Sequence, residues 1–318
     1  MSESLIKHEY DPSRLEQRIP GVIEVCDLVK TYRSKAVVNS VSFSVAPGSV
    51  FALLGENGAG KTTTIRMLLG ESRPTSGLVQ VLHVNPADYP QVVRPKIGYV
   101  PEVPILYNFM TVEQLGKLAA PFNTEGYFER YARRIEEFGI GLRVKISNLS
   151  KGMKAMTSLA LELARDPEIL ILDEPTSGLD PLVRRRFLAN IADLAAAGKT
   201  VFLSSHQITE VERVADHVAF LKNGKFVFMD SLAAIADEYR TLEVTVRGDF
   251  EVAPDLYPSL FAGEFIQSER LGAARRLVGR KLVPDYEARL RAAYNDRFVE
   301  ANVSVPSLED LFVAYMTR

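Results

Sequence analysis

The chain has 318 residues, of which 47% are hydrophobic and 25% are charged, a composition typical of a globular protein. Its 38 basic and 40 acidic residues give a formal net charge of −2, so it lacks the basic excess that binders of nucleic-acid backbones normally carry. We therefore expect no nucleic-acid partner. The single cysteine, Cys26, excludes a disulfide within the chain and indicates a reducing compartment.

The first 21 residues are polar and mix acids with bases. They lack the apolar core of a signal peptide, and no stretch of the chain reaches the roughly 18 apolar residues that predict a membrane span. We interpret residues 1–21 as an N-terminal extension of a cytoplasmic protein.

Short apolar segments alternate with helical patterns between about residues 22 and 240, which is typical of an α/β domain with a mainly parallel sheet. The predicted strands are VIEVCD (22–27), VSFSV (41–45), VFALLG (50–55), LVQVL (78–82), IGYV (97–100), ILILD (169–173), TVFLS (200–204) and HVAFL (217–221). The predicted helices cover 61–70, 112–121, 125–139, 153–165, 182–197 and 208–214. Because the stretch from about 111 to 165 reads as helical throughout, we predict an inserted helical lobe there.

The pattern changes after residue 240. The segments there read as strand, helix, strand, strand, helix and strand, followed by a last helix over PSLEDLFVAYMT (306–317). That order matches the ferredoxin-like arrangement. We therefore predict two domains, a larger one at 22–240 and a small α+β domain at 241–318.

The segment GENGAGKT at 55–62 fits the P-loop pattern G-x-x-x-x-G-K-[ST]. An apolar strand leads into it and an amphipathic helical pattern leaves it, which is the context that a phosphate-binding loop requires. Its glycines let backbone N–H groups face phosphate oxygens, and the helix N-terminus adds partial positive charge. Lys61 would contact the β- and γ-phosphates, and the Thr62 hydroxyl would bind Mg²⁺. The predicted phosphate-binding residues are Gly55, Glu56, Asn57, Gly58, Ala59, Gly60, Lys61, Thr62 and Thr63.

Two further strands end in polar residues. ILILDEP at 169–175 places Asp173 and Glu174 at the carboxyl end of a buried strand, where ligands bind in open α/β sheets. Asp173 suits the Mg²⁺ shell, and Glu174 could polarise the attacking water as a general base. VFLSSH places His206 after a third strand, at the same sheet edge, where it could donate to a γ-phosphate. Taken alone, such a histidine is more often a surface or core residue.

These motifs stand in a set order, with LSKGM at 149–153 before the acidic strand end and TSGLD at 176–180 after it. The arrangement resembles the ATP-binding-cassette (ABC) ATPases over roughly residues 22–240. The resemblance implies a P-loop NTPase fold, with a mixed or parallel sheet core and an inserted helical lobe, that hydrolyses ATP. The residue roles that it implies are adenine stacking for Tyr32, Mg²⁺ binding for Asp173, the general base for Glu174, γ-phosphate sensing for His206, and a place in the loop across a dimer interface for Asp180.

Two motifs depart from the family's usual pattern. Glu102 stands where a glutamine near the metal is usual, so its carboxylate could still approach Mg²⁺ but adds negative charge. The usual Leu-Ser-Gly-Gly-Gln signature is LSKGM here, which keeps Ser150 as a helix N-cap and Gly152 as a close-approach residue. For Lys151 we favour a solvated side chain, and the alternative is an added cation near the γ-phosphate.

The resemblance also implies partners. Because the chain has one P-loop and one signature, Ser150 and Gly152 would contact ATP bound to a second copy, or to a paralogous cassette, in a nucleotide-sandwich dimer. A separate transmembrane permease would place the chain at the cytoplasmic face of the inner membrane, and the apolar loop VPILYNFM (103–110) either docks that permease or covers the helical lobe.

The type of permease-linked cassette that the motifs resemble exports drugs, peptides, lipids or polysaccharides. A mechanical or signalling membrane complex that moves no solute is the alternative, and a soluble ABC ATPase is a weaker one.

Overall fold

The computed structural model of the protein describes residues 21–248, 256–272 and 274–317. The predicted N-terminal extension therefore lies outside the described residues, except for Gly21. The strands are β1 (Ile23–Tyr32), β2 (Lys35–Val45), β3 (Val50–Gly55), β4 (Ser76–Val81), β5 (Ile97–Val100), β6 (Ile169–Asp173), β7 (Thr200–Ser205), β8 (His217–Lys222), β9 (Lys225–Ser231), β10 (Tyr239–Val246), β11 (Phe265–Leu271), β12 (Ala274–Arg280) and β13 (Phe298–Ser304). The α-helices are α1 (Lys61–Leu68), α2 (Pro90–Val93), α3 (Val112–Ala119), α4 (Tyr127–Glu137), α5 (Lys151–Leu163), α6 (Pro181–Ala196), α7 (Ile208–Val211), α8 (Leu232–Glu238), α9 (Leu256–Ser259), α10 (Tyr286–Tyr294) and α11 (Leu308–Thr317).

The central sheet has the strand order β5-β6-β7-β3-β8-β9. The first five strands of that order run parallel, and β9 pairs antiparallel with β8. β3 and β6 are buried at every position, as expected for parallel strands that are covered on both faces. The predicted α/β class with a mainly parallel sheet is confirmed, and β3, β6 and β7 end at one edge.

Three of the predicted strands form a separate layer. β1, β2 and β4 make an antiparallel sheet in the order β2-β1-β4. Two residues, Arg33 and Ser34, separate β1 from β2, and so short a connection permits a hairpin but not the long crossover of a parallel pair. The apolar alternation of the sequence does not reveal this second sheet.

The inserted helical lobe consists of α3, α4 and α5. Tyr131 is fully buried in it, and its hydroxyl donates to the carbonyl oxygen of Val112 at 3.0 Å. The lobe is not helical throughout, because residues 138–150 connect α4 to α5 with only one short 3-10 turn, Ile146–Asn148. Gly139, with a φ of 71°, follows the end of α4, where a left-handed residue stops a helix.

The C-terminal sheet has the order β11-β12-β10-β13, and every neighbouring pair in it is antiparallel. With α9 and α10 between the strands, this is the predicted ferredoxin-like order, which is confirmed. Leu242, Leu260 and Leu290 belong to the core of this unit. α11 instead joins the cassette, because Tyr315 shares an apolar core with Phe228 of β9. Within the described ranges, no helix combines the length and apolar character needed to cross a membrane.

Candidate nucleotide-binding site

The P-loop connects the buried strand β3 to the first turn of α1. Gly60, the residue before α1, has a φ of 115°, and a Cβ there would lie 2.7 Å from the carbonyl oxygen of Val37. A side chain is therefore excluded at this position. Gly58 also has a positive φ, 83°, but a Cβ there would meet no atom within 4 Å. The loop thus has no room for a side chain at Gly60, whereas the space beside Gly58 is open.

The Lys61 side chain folds back into this loop and is only 6% exposed. Its Nζ donates to the carbonyl oxygens of Gly55 at 2.7 Å and Glu56 at 3.2 Å. The same Nζ lies 2.9 Å from Oε1 of Glu174, an ion pair without the geometry of a directed hydrogen bond. A buried ammonium inside a phosphate-binding loop therefore has a carboxylate partner that phosphate oxygens could replace.

Asp173 and Glu174 lie side by side at the end of β6 and are almost fully buried. Ser204 of the neighbouring strand β7 contacts both residues: its Oγ donates to Oδ1 of Asp173 at 2.6 Å and accepts from the amide of Glu174 at 3.0 Å. Glu174 has a φ of 47°, a left-handed conformation that costs a non-glycine residue about 1–3 kcal/mol. Backbone strain of this kind concentrates at functional sites.

His206 is the second partner of the Glu174 carboxylate. Its Nδ1 lies 2.7 Å from Oε2 of Glu174, and its backbone N–H donates to the same oxygen at 3.2 Å. The register explains the contact, because Asp173 lies opposite Ser204 and each strand then continues toward the same edge. The structure therefore brings the three predicted catalytic residues, Lys61, Glu174 and His206, into one contiguous chain of contacts.

A cavity of about 310 Å³ opens at this edge, close to the lower end of the usual size of small-molecule sites. Thr62 of the P-loop and Glu102, which follows β5, both line it. Their hydroxyl and carboxylate oxygens are ligands that Mg²⁺ prefers. The lining residues are Val37, Glu56, Asn57, Gly58, Gly60, Lys61, Thr62, Thr63, Glu102 and Glu174. Three other predicted residues, Gly55, Ala59 and Asp173, are buried and do not line it.

Tyr32 lies outside this cavity, at the end of β1, and is 46% exposed. The Nζ of Lys30 lies 5.1 Å from the centroid of its ring, within the range of a cation–π contact. Lys30 is fixed there by a hydrogen bond of 2.6 Å to the carbonyl oxygen of Arg73. Because the ring remains accessible, adenine stacking on Tyr32 stays a prediction.

Ser150, Gly152 and Asp180 lie at helix starts and do not line the cavity. The Ser150 hydroxyl caps α5 by accepting from the amide of Met153 at 3.2 Å, and Asp180 caps α6 by accepting from the amide of Val183 at 3.0 Å. A Cβ on Gly152 would lie 2.7 Å from Cγ1 of Val183, so this glycine lets α5 and α6 approach each other. Neither Ser150 nor Gly152 therefore contributes to the cavity of its own chain.

Ser204 is the site residue that the sequence reasoning missed. It is completely buried, and it is the only side chain in the described ranges that hydrogen-bonds to Asp173 and to the backbone of Glu174 together. A signal was available in VFLSSH, where two serines interrupt an apolar strand just before its end. A polar residue at a buried position next to two acids indicates a hydrogen-bonding task.

We expect Ser204→Ala to lower kcat for ATP about tenfold while KM changes little, because misplacing a catalytic group by a fraction of an ångström is costly. The loss of buried hydrogen bonds should also lower the free energy of unfolding by about 1–3 kcal/mol. Steady-state kinetics and denaturant titration measure the two effects. Ser205→Ala is the matched control, because Ser205 is equally buried but its hydroxyl accepts from Gln207 instead of contacting the acids. Equal kcat values for the two variants would contradict the role of Ser204.

Comparisons with known proteins agree with this geometry. A family model described as ABC transporter matches residues 38–177. A curated relative from Nostoc sp., an uncharacterized ABC transporter ATP-binding protein, is 38% identical over 73% of each chain. The Nod factor export ATP-binding protein I of Rhizobium johnstonii is 33% identical over 94% of this chain and 96% of its own. A solved ATP-binding subunit of an ABC transporter is 33% identical, covers 68% of this chain and 92% of its own, and has a TM-score of 0.62.

Proposed function

The chain belongs to the ABC transporter family as an ATP-binding, ATP-hydrolysing subunit, and from this premise we propose that it drives export through a separate membrane permease. The observation that carries the proposal is the Glu174 carboxylate, which lies between Lys61 and His206 beside the P-loop cavity. Relatives named as Nod factor export proteins support the direction of transport. We assign the cargo to the class of drugs, peptides, lipids or polysaccharides, and the chain to the cytoplasmic face of the inner membrane.

Hydrolysis in this mechanism begins when the γ-phosphate oxygens replace Glu174 as the partner of the Lys61 ammonium. The released carboxylate then accepts a proton from the attacking water. The water oxygen bonds to the γ-phosphorus as the bond to the bridging oxygen of ADP breaks, and ADP and inorganic phosphate are the products. His206 contacts Glu174 before the reaction and would donate to the phosphate oxygens during it.

The metal site of this mechanism rests on Thr62, Glu102 and Asp173. Thr62 and Glu102 line the cavity from different segments, and the buried Asp173 accepts a hydrogen bond from Ser204. Hard oxygen ligands of this kind fit Mg²⁺, which when bound would neutralise phosphate charge. The carboxylate of Glu102 accepts a hydrogen bond from Ser177 at 3.4 Å and so also contacts the loop that follows Glu174.

A second copy, or a paralogous cassette, would complete each site. α5 begins with Ser150 at its N-cap, where the helix has its partial positive charge, and neither Ser150 nor Gly152 lines the chain's own cavity. In a sandwich of two cassettes, Ser150 and Gly152 of each copy would contact the γ-phosphate bound to the other, and Asp180 would lie near the junction. Solved dimeric cassettes share this fold, with a TM-score of 0.59.

The permease would dock on the loop at 103–110. Leu106 packs against the core, whereas Ile105 is 94% exposed and Phe109 is 74% exposed. Two more apolar residues, Val103 at 68% and Tyr107 at 52%, extend the same exposed segment. Exposed apolar side chains of this kind are typical of an interaction site. The inner side of the loop contacts the helical lobe, because the amide of Ile146 donates to the carbonyl oxygen of Met110 at 2.9 Å.

In a pull-down with this chain from detergent-solubilised membranes of the native host, we expect a polytopic membrane protein to be recovered. The double substitution Ile105→Asp and Phe109→Asp should abolish that recovery, because two carboxylates would be buried in an apolar contact. ATP turnover of the isolated chain should stay within about twofold, because neither side chain lines the cavity. Val299→Asp, at a 45% exposed position of β13, is the control for added charge. Equal recovery with both variants would contradict this docking surface, and recovery of ribosomes or DNA in place of a membrane protein would contradict the export proposal.

A further inference from the structure

The loop Thr176–Asp180 connects the catalytic strand end to α6. Its first part is hydrogen-bonded directly to the site, because the amide of Ser177 donates to the carbonyl oxygen of Glu174 at 3.1 Å. Its middle closes on itself, with the amide of Leu179 donating to the carbonyl oxygen of Thr176 at 3.1 Å. A displacement of this loop would therefore move the backbone of Glu174, which already has a left-handed conformation.

Lys151 lies across the centre of this loop. A Cβ added to Gly178 would lie 2.7 Å from the Nζ of Lys151 and 3.6 Å from its Cδ and Cε. Gly178 has a φ of 67°, so both its conformation and its covered face favour glycine. Lys151 remains exposed to solvent, but its outer half covers Gly178 instead of extending freely into water. The side chain is thus exposed, as we favoured from the sequence, but it lies against Gly178 and does not point away from the chain.

Contacts on both sides of Gly178 fix the rest of the loop. Ser177 donates to the carboxylate of Glu102 at 3.4 Å, and the Arg184 guanidinium donates to the carbonyl oxygen of Leu179 at 3.0 Å. Two of the residues that depart from the family's pattern, Glu102 and Lys151, therefore contact consecutive residues of one loop. They approach it from different segments, the first after β5 and the second at the start of α5.

We propose that Lys151 is a positioning residue that fixes the Thr176–Asp180 loop and, through it, the backbone of Glu174. Its ammonium and outer methylenes occupy the face of Gly178, where a glycine at position 151 would leave an open gap. The side chain thus couples the start of α5 to the loop after the catalytic strand within one chain. Its expected effect on turnover rests on the proposed ATPase mechanism, but its effect on the loop does not.

Lys151→Met is the informative variant, because it removes the ammonium while keeping most of the stem and a similar helix propensity. In the nucleotide-free chain, we expect backbone amides of the 176–182 segment to exchange with deuterium about tenfold faster, and those of 55–63 to be unchanged. Lys154→Met is the matched control. Lys154 lies one turn further along α5, and its ammonium contacts Asn108 instead of the Thr176–Asp180 loop. Peptide-resolved mass spectrometry measures the exchange.

The kinetic arm separates positioning from ATP binding. We expect Lys151→Met to lower kcat about tenfold with an unchanged KM for ATP, and Lys151→Arg to retain kcat within about twofold, because arginine restores a cation of similar reach. Exchange in Lys151→Met equal to that in Lys154→Met would overturn the inference even if the chain hydrolyses ATP as proposed. Faster exchange in a chain that hydrolyses no ATP would support the loop contact and contradict the proposed function instead.

Discussion

Glu174→Gln is expected to lower ATP turnover by about 10²–10⁴-fold, the usual contribution of a positioned general base. Glutamine keeps the size of the side chain and can still hydrogen-bond, but it cannot accept the proton of the attacking water. The change also removes the ion pair with Lys61, so the ammonium loses the partner that competes with phosphate. We therefore expect ATP to remain bound and two copies to stay together around it. Single-turnover kinetics and mass-resolved chromatography with saturating ATP measure the two outcomes.

Glu168→Gln is the matched control for this variant. Glu168 lies at the opposite end of β6, and its half-exposed carboxylate pairs with Lys96. An exposed pair of this kind contributes about 0–1 kcal/mol, so turnover should match that of the unchanged chain. A Glu174→Gln chain that hydrolyses ATP at the normal rate would exclude Glu174 as the base. The sandwich dimer would be excluded if the Glu174→Gln chain binds ATP but stays monomeric, and if complexes with its membrane partner also contain a single copy of the chain.

The arrangement of the acids and the histidine could be predicted from sequence because sheet topology determines it. Carboxyl ends of parallel strands meet at one edge, so Glu174 and His206 had to lie close together once both strands were recognised. Ser204 and Lys151 could not be placed in this way. The task of Ser204 depends on the register between β6 and β7, and the direction of the Lys151 side chain depends on a loop about two dozen residues further along the chain. Neither relation leaves a periodic pattern in the sequence.

The fold shows the same division between local and long-range information. The ferredoxin-like order of the C-terminal strands follows from local patterns and could be predicted. The separate antiparallel sheet could not, because β4 is distant in sequence from its partner β1 and its apolar residues resemble those of the central strands. The position of α11 was equally hidden: it follows the C-terminal sheet in sequence but packs on the cassette.

α11 packs into the cassette's core, although it follows the C-terminal sheet in sequence. Leu308 and Leu311 are completely or almost completely buried in the cluster that also contains Phe220 of β8. The amide of Leu308 donates to Oε1 of Glu212 at 3.0 Å, just after α7 and therefore six residues beyond His206. The far end of α11 is also fixed, because Nζ of Lys222 donates to the carbonyl oxygen of Met316 at 2.6 Å. Both ends of α11 are therefore hydrogen-bonded to the cassette.

Leu311→Ala is expected to lower the free energy of unfolding by about 2–5 kcal/mol, the range for removing a fully buried leucine side chain. The substitution would leave a void in the core that α11 shares with the cassette. We therefore expect one cooperative unfolding transition that shifts as a whole, measured by circular dichroism and intrinsic fluorescence. Val313→Ala, on the same helix but 47% exposed, should change the stability by less than about 0.5 kcal/mol and controls for altered helix propensity. Two separate transitions, of which Leu311→Ala shifts only one, would show that the C-terminal unit and the cassette unfold independently.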